Sequence, residues 1–238
     1  MDNAGYVTLT RQAGLSREMQ VVANNIANLS TNGYRREGLI FSEHVKALED
    51  GGASLSMATG NAWMTDDRQG PLEPTGGTYD FAIEGEGFFL VMTPQGERLT
   101  RAGSFTPDAE GILVAPDGAQ LMDGGGTPVF VPPGARAITL AADGTLSADG
   151  QPLGEVGVFR PLDPLDLSRQ EGTRFSAPGG WEPVEDFALV QGFLEGSNVN
   201  AVSEITRMIE VQRAYELGQN FLDREDERIR AVIRSFAR

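Results

Sequence analysis

The chain has 238 residues, 40% of them hydrophobic, with one histidine, no cysteine and a formal net charge of −15. A core of good size is affordable at that length, whereas disulfides, thiolate metal sites, a cysteine nucleophile and any site built on two imidazoles are excluded. The charge is uneven, since residues 47–194 hold 22 acids and 7 bases while the two ends together are neutral; without clustered Lys and Arg, no nucleic acid is expected as a partner.

In chain order, the first element is a helix predicted from about residue 4 to residue 29. Leu15, Met19, Val22, Ile26 and Leu29 recur at spacings of 4, 3, 4 and 3, which sets them on one face as a coiled-coil-like stripe. The Asn32-Gly33 pair is a turn signal that ends it. Residues 42–70, with Gly51-Gly52 and many small or polar side chains, read as a linker or loosely ordered connection. The pattern then changes to short apolar runs: Phe81–Ile83, Phe88–Met92, Ile112–Ala115, Val129–Val131, Ile138–Ala141 and Val156–Phe159. These are predicted strands, with turns at Pro116-Asp117-Gly118 and Asp143-Gly144. A second helix is predicted from about residue 201 to the end, carrying Met208, Val211, Tyr215, Leu222, Ile229, Val232 and Phe236 on one stripe that Gly218 and Glu225 interrupt. Asn198 or Asn200 is its expected N-cap.

The fold class is therefore mixed α and β, with long N- and C-terminal helices forming a coiled-coil-like pair, parallel or antiparallel, around an inserted β-rich domain. The boundaries are residues 1–41 for the first helical part, 42–70 for the linker, 71–194 for the β-rich domain and 195–238 for the second helical part. Val202, Ile205 and Ile209 lie on a second face of the last helix, open to other subunits. The longest apolar runs fall far short of the roughly 18–20 residues of a membrane span, so no membrane insertion is expected. The opening residues also lack the basic start, apolar run and cleavage site of a secretory signal.

Motifs of catalysis are missing. Gly85-Glu86-Gly87 lacks the third glycine of a dinucleotide fingerprint and precedes Phe88-Phe89 rather than a helix, so it reads as a tight hairpin. His44 reads as a surface side chain. Asp143-Gly144 and Asp149-Gly150 lack the ligand spacing of a calcium loop. No catalytic residue, cofactor or metal site is expected. The most unusual stretch is Ala23-Asn24-Asn25-Ile26-Ala27-Asn28, because asparagine is a mediocre helix former. Its amides either cap and end the helix or bond across a helix–helix contact and fix its register.

Those residues, with Thr31, Gly33, Tyr34 and Arg35, resemble the N-terminal signature of the flagellar rod, hook and hook-associated proteins. Ile83-Glu84-Gly85-Glu86-Gly87-Phe88-Phe89 and Thr100-Arg101-Ala102-Gly103-Ser104-Phe105 resemble that family's β-domain motifs. Leu194-Glu195-Gly196-Ser197-Asn198-Val199-Asn200, then Met208-Ile209 and Arg213-Ala214-Tyr215-Glu216, resemble its C-terminal signature. Within the family the opening Met1–Tyr6 and the modest length look more like a proximal-rod than a distal-rod subunit.

The resemblance implies a structural subunit of the basal-body rod that self-assembles through its terminal helices into the axial drive shaft, with the β domain outside. It implies proximal and distal rod proteins and the flagellar type III export apparatus as partners. The implied assembly interface is Leu15, Met19, Val22, Asn24, Asn25, Ile26, Asn28, Leu29, Gly33, Tyr34, Ser197, Asn198, Met208, Val211, Tyr215, Leu222, Ile229, Val232 and Phe236. The alternatives are a distal-rod subunit or a secreted calcium- or carbohydrate-binding protein.

Overall fold

A computed structural model describes residues 2–46 and 55–236. The chain divides into two compact units, one drawn from Met1–Ala27, Glu37–Asp66 and Asn200–Arg238, the other from Asn28–Arg36 and Asp67–Val199.

The first unit contains α1 (Asp2–Ala27), the strands β1 (Glu37–Lys46) and β2 (Leu55–Thr65), and α2 (Ala201–Phe236). At 1.5 Å per residue the helices are on the order of 40 and 55 Å long. Asn200 is the N-cap of α2: its Oδ1 accepts from the Ser203 backbone N–H at 3.0 Å and its carbonyl from Glu204 at 3.1 Å. Of the expected linker over residues 42–70, residues 42–46 and 55–65 form strands instead, and residues 47–54 with Gly51-Gly52 lie outside the described residues. β1 and β2 pair antiparallel from Glu37↔Thr65 to Lys46↔Leu55, with a bulge between Ile40 and Phe41, and α1 packs against both strands. An isolated two-stranded ribbon is marginal in water. Packing against α1 supplies support that the ribbon's own sequence does not announce.

The second unit is the β-rich domain. β3 (Leu72–Pro74) and β4 (Phe81–Glu84) pair with the late strands Phe193–Glu195 and Ala188–Gln191. A seven-stranded antiparallel sheet runs in the order Ser168–Arg169, Arg174–Ser176, β6 (Gly96–Thr100), β5 (Phe89–Thr93), Gln120–Leu121, Leu113–Val114 and Thr106–Pro107. β5 is central, and its continuous apolar run is buried on both faces. Phe89 and Val91 join one core with Phe81, Ile83, Phe105, Leu121, Leu146 and Leu189, while Leu90 and the preceding Phe88 join another with Leu99, Met122, Phe159 and Phe175. Phe89 and Phe105 meet edge to face at 5.7 Å.

Both expected turns form: the Gly118 N–H bonds the Ala115 carbonyl and the Gly144 N–H the Ala141 carbonyl, with φ of +86° and +91° at the glycines. Asp143 and Asp149 spend their carboxylates on backbone, Asp143 on Thr145 and Asp149 on Arg136 and Ala137. The Thr145 N–H holds the Asp143 carboxyl below its ordinary range. Three expectations fail. Val129–Val131 has an isolated bridge at Phe130 rather than a strand, being held by single bonds such as Val129 N–H to the Leu121 carbonyl. Val156–Phe159 has an isolated bridge at Val156 and meets a strand only at Phe159. Gly85 and Gly87 do take left-handed angles, yet they link β4 and β5, which belong to different sheets, so the turn is no hairpin.

Phe89→Ala should destabilise the β-rich domain by about 3–5 kcal/mol, read as a lower urea midpoint at unchanged slope. A loss under about 1 kcal/mol would place the core elsewhere.

Candidate assembly interface

Within the first unit, α1 and α2 run antiparallel, because Gln12, Glu18 and Asn25 meet Tyr215, Arg207 and Glu204 in turn. The stripe that α1 buries coincides with the predicted one at Leu15 and Val22 but is shifted elsewhere. Gln12, Leu15, Glu18, Val21, Val22 and Asn25 are buried, whereas Met19 and Ile26 are half-buried. Three polar side chains therefore occupy the seam and each bonds α2, although Gln12 Oε1 is buried without a hydrogen-bond partner among the described residues. The Gln12 amide donates to the Tyr215 carbonyl at 2.8 Å. Glu18 accepts from the Arg207 Nε at 2.6 Å. Burial by itself would lower the Arg207 pKa, but the bond and charge of Glu18 outweigh it and raise it.

Asn25 is fully buried and makes the most specific contact of this unit. Its Nδ2 donates to the Glu37 carbonyl at 2.8 Å and to Glu204 Oε2 at 3.0 Å, while its Oδ1 accepts from the Glu37 N–H at 3.0 Å. The side-chain amide thus pairs with a residue of β1 as a neighbouring strand would, and ties α1, β1 and α2 together. The cross-helix alternative describes Asn25. Asn24 is exposed, and Asn28 follows the end of α1, where its Oδ1 accepts from the Thr31 hydroxyl at 3.0 Å.

On α2 the seam holds Glu204 and Val211 buried, with Met208, Tyr215, Gly218, Leu222 and Glu225 half-buried. Gly218 is no flaw in it: a Cβ there would come within 2.2 Å of Gln12 Nε2. Ile229, Val232 and Phe236, the last part of the predicted stripe, are exposed. Val202, Ile205, Ile209, Leu217 and Phe221 are exposed as well.

Within the second unit, the remaining motif residues converge on one buried charge cluster. Glu195 receives Arg35 at 3.1 Å on one oxygen and Arg101 at 3.0 Å on the other, and Arg35 and Glu195 are each 1% exposed. The Gly70 N–H adds a third bond to the carboxylate at 3.0 Å. Arg35 also donates to the carbonyls of Asp67 and Arg68, and Arg101 to that of Gly85. Burial pushes the Arg101 guanidinium down to about 10, with Glu195 pulling it up and Arg35 pushing it further down, so it stays charged at neutral pH.

Around this cluster the backbone approaches closely. Gly33, with φ of +70°, donates to the Glu195 carbonyl at 2.7 Å, and a Cβ on it would lie 2.3 Å from the Ala102 nitrogen. Tyr34 is buried beneath the Arg169 guanidinium, 4.3 Å from the ring centre, and Arg169 also covers Phe175 and donates to the Arg35 carbonyl. Asn198 accepts from the Arg36 N–H at 2.6 Å and donates to the Arg68 carbonyl at 2.8 Å, so it ties loops and is not the cap of α2. Leu29 and Ser197 are half-buried in this unit.

Sequence reasoning missed Glu18, Glu204, Arg169 and the charge cluster. Arg35, Arg101 and Glu195 lie inside the quoted motifs, but nothing in their spacing says that they meet.

Glu195→Gln should cost the β-rich domain about 3–5 kcal/mol, because two buried guanidinium groups lose their counter-charge. Glu182→Gln breaks an Arg160 pair that is about half exposed and should cost under ~1 kcal/mol. Equal urea midpoints for the two variants would refute the buried cluster as the stronger element.

Three family models match this chain: "Flagella basal body rod protein" over residues 6–35, "Flagellar hook protein FlgE/F/G D1 domain" over 82–148 and "Flagellar basal body rod FlgEFG protein C-terminal" over 190–235. The chain is 41% identical to the flagellar basal-body rod protein FlgF of Caulobacter vibrioides, with 98% of this chain and 97% of that protein aligned. It is 36% identical to FlgF of Mesorhizobium japonicum over 91% and 90% of the two chains. With the basal-body rod protein FlgG of Bacillus subtilis it shares 29% identity over 96% and 97%. The segments that carry the Asn25 contact and the Arg35–Glu195–Arg101 cluster fall within these matches, and the chain belongs to the flagellar basal-body rod protein family.

Proposed function

We propose that this chain works by assembly, as a structural subunit of the flagellar basal-body rod that joins its neighbours through the terminal helices. The observation that carries the reading is the identity of 41% to a FlgF protein over nearly the full length, against 29% to a FlgG protein. By that preference the chain takes a FlgF place in the rod, the proximal one, beside other rod proteins. It reaches that place through the flagellar type III export apparatus. Its work is mechanical and requires no catalysis.

The physical side of the proposal begins with α1 and α2. They form a coiled-coil-like pair whose register is held by Asn25–Glu204 and Glu18–Arg207 rather than by apolar packing alone. One seam is closed inside the chain, and Val202, Ile205 and Ile209 remain exposed on another face of α2. That face is where the next subunit packs, as a heterologous contact that builds a helical tube. Residues 1–41 and 195–238 serve as the rod core and residues 71–194 as the outer domain, while the β1–β2 ribbon belongs with the core because it packs on α1. The acidic middle section keeps the outside solvated.

Complementation of a deletion strain tests this, with motility and basal-body imaging as readouts. The full chain should restore the rod and a chain lacking residues 201–238 should not. Val202→Asp changes an exposed residue and should leave the melting temperature unchanged while reducing incorporation into rods at least tenfold. Intact rods in the deletion strain would overturn the assignment, and normal incorporation of Val202→Asp would overturn the choice of face.

A further inference from the structure

The sequence holds one Asn-Gly pair, Asn32-Gly33, and the fold places it where the chain enters the buried charge cluster. The Tyr34 N–H bonds the Thr31 carbonyl at 3.2 Å, closing a turn with Asn32 and Gly33 at its centre. Gly33 has a φ of +70°, whereas Asp149 is the one non-glycine residue with a positive φ among the described residues. The turn is therefore of type II, which favours glycine at its second central position. Asn32 is exposed and Gly33 is buried.

Asparagine before glycine is the pair in which the main chain attacks its own side chain most readily, because glycine has no Cβ to bar the approach and leaves the backbone free to turn. The glycine nitrogen loses its proton and bonds the carboxamide carbon, the bond from that carbon to Nδ2 breaks, and ammonia leaves. Water then opens the cyclic imide at one of its two carbonyls, giving aspartate or isoaspartate. In the folded chain the obstacle lies at the attacking nitrogen. The Gly33 N–H is held by the Glu195 carbonyl at 2.7 Å. A Cβ on Gly33 would stand 2.3 Å from the Ala102 nitrogen and 2.4 Å from the Arg101 carbonyl carbon, so the peptide plane has no room to swing toward the Asn32 carboxamide. Glu195 belongs to the strand Phe193–Glu195, and the obstacle is complete only when that strand is in place.

We propose that Asn32 is a deamidation site, open in the unfolded chain and shut by folding of the β-rich domain. Isoaspartate routes the main chain through Cβ and adds one carbon to it between Thr31 and Gly33. With that carbon inserted, Gly33 cannot keep both its turn and its place against Ala102, and Arg35, two residues on, is carried away from Glu195. The buried cluster has no matched form with one arginine displaced. Position 32 thus records time spent unfolded, and the fold rejects chains that have waited too long.

Incubation of the full chain at mildly alkaline pH, folded in buffer or unfolded in guanidinium chloride, tests the gate. Isoaspartate at position 32 is read by peptide mapping and enzymatic methyl transfer. It should form at least tenfold faster in the unfolded chain than in the folded one. Equal rates would overturn the gate, and absence of isoaspartate from the unfolded chain would overturn the site. Glu195→Gln keeps the carbonyl but weakens the cluster, so it should raise the rate in buffer through more frequent opening; an unchanged rate would break the link between cluster and gate. Asn32→Ser, an exposed substitution, should form no isoaspartate there. After equal ageing in guanidinium chloride and dilution into buffer, Asn32→Ser should refold fully, while the parent should lose folded yield in proportion to its isoaspartate. Parent chains that refold in full with isoaspartate in place would overturn the rejection of aged chains.

Discussion

A carboxylate with almost no solvent around it holds two arginines from distant parts of the chain. Glu195 bonds Arg35 on one oxygen and Arg101 on the other, and the Gly70 N–H completes its set. Desolvating three charges is expensive, and the expense is met only while every partner is present. The arrangement is therefore less a source of raw stability than a condition on geometry. Residues 33–35, 70, 101–103 and 195 have one relative placement in which the charges are matched. Gly33 exists at its position because any Cβ would strike the Ala102 backbone, and Arg169 closes the site from above by lying on Tyr34 and Phe175.

The helical unit applies the same rule with weaker groups. Its seam is polar at Gln12, Glu18 and Asn25, and each of these side chains has a partner on α2. Polar seams hold register because a shift by one turn leaves buried groups unmatched, while an all-apolar seam can slide. A structural subunit of a rod needs a fixed register more than it needs a large unfolding free energy. The Asn25 amide extends that control to β1, since a strand residue, Glu37, completes its hydrogen bonds.

Much of the fold was legible. The helices announced themselves through 3-and-4 spacing, and β5 through an apolar run whose two faces meet two cores. The phase of the α1 seam was not legible, because counting apolar positions passes over Gln12, Glu18 and Asn25, and these are the residues that the seam buries. The β1–β2 ribbon was missed for a related reason: small and polar residues are interspersed among its apolar ones, and its pairing and its packing on α1 are tertiary facts. The asparagine-rich stretch Ala23–Asn28 was singled out from its composition, but not Asn25 within it, whose partners Glu37 and Glu204 lie 12 and 179 residues away. The charge cluster was hidden in the same way, for Arg35, Arg101 and Glu195 are unremarkable until they are brought together.

That long separation has a bearing on when the β-rich domain can form. Its keystone carboxylate sits at residue 195 of 238, and β3 and β4 wait for strands at 188–195 to pair with them. A chain emerging from its N-terminus holds Arg35 and Arg101 long before it holds their counter-charge. Until then, burial of the two guanidinium groups is uphill, and loop closure over such distances comes late. The domain is thus timed by its own sequence order: it stays open while the chain is being made, and locks only when the last strand arrives.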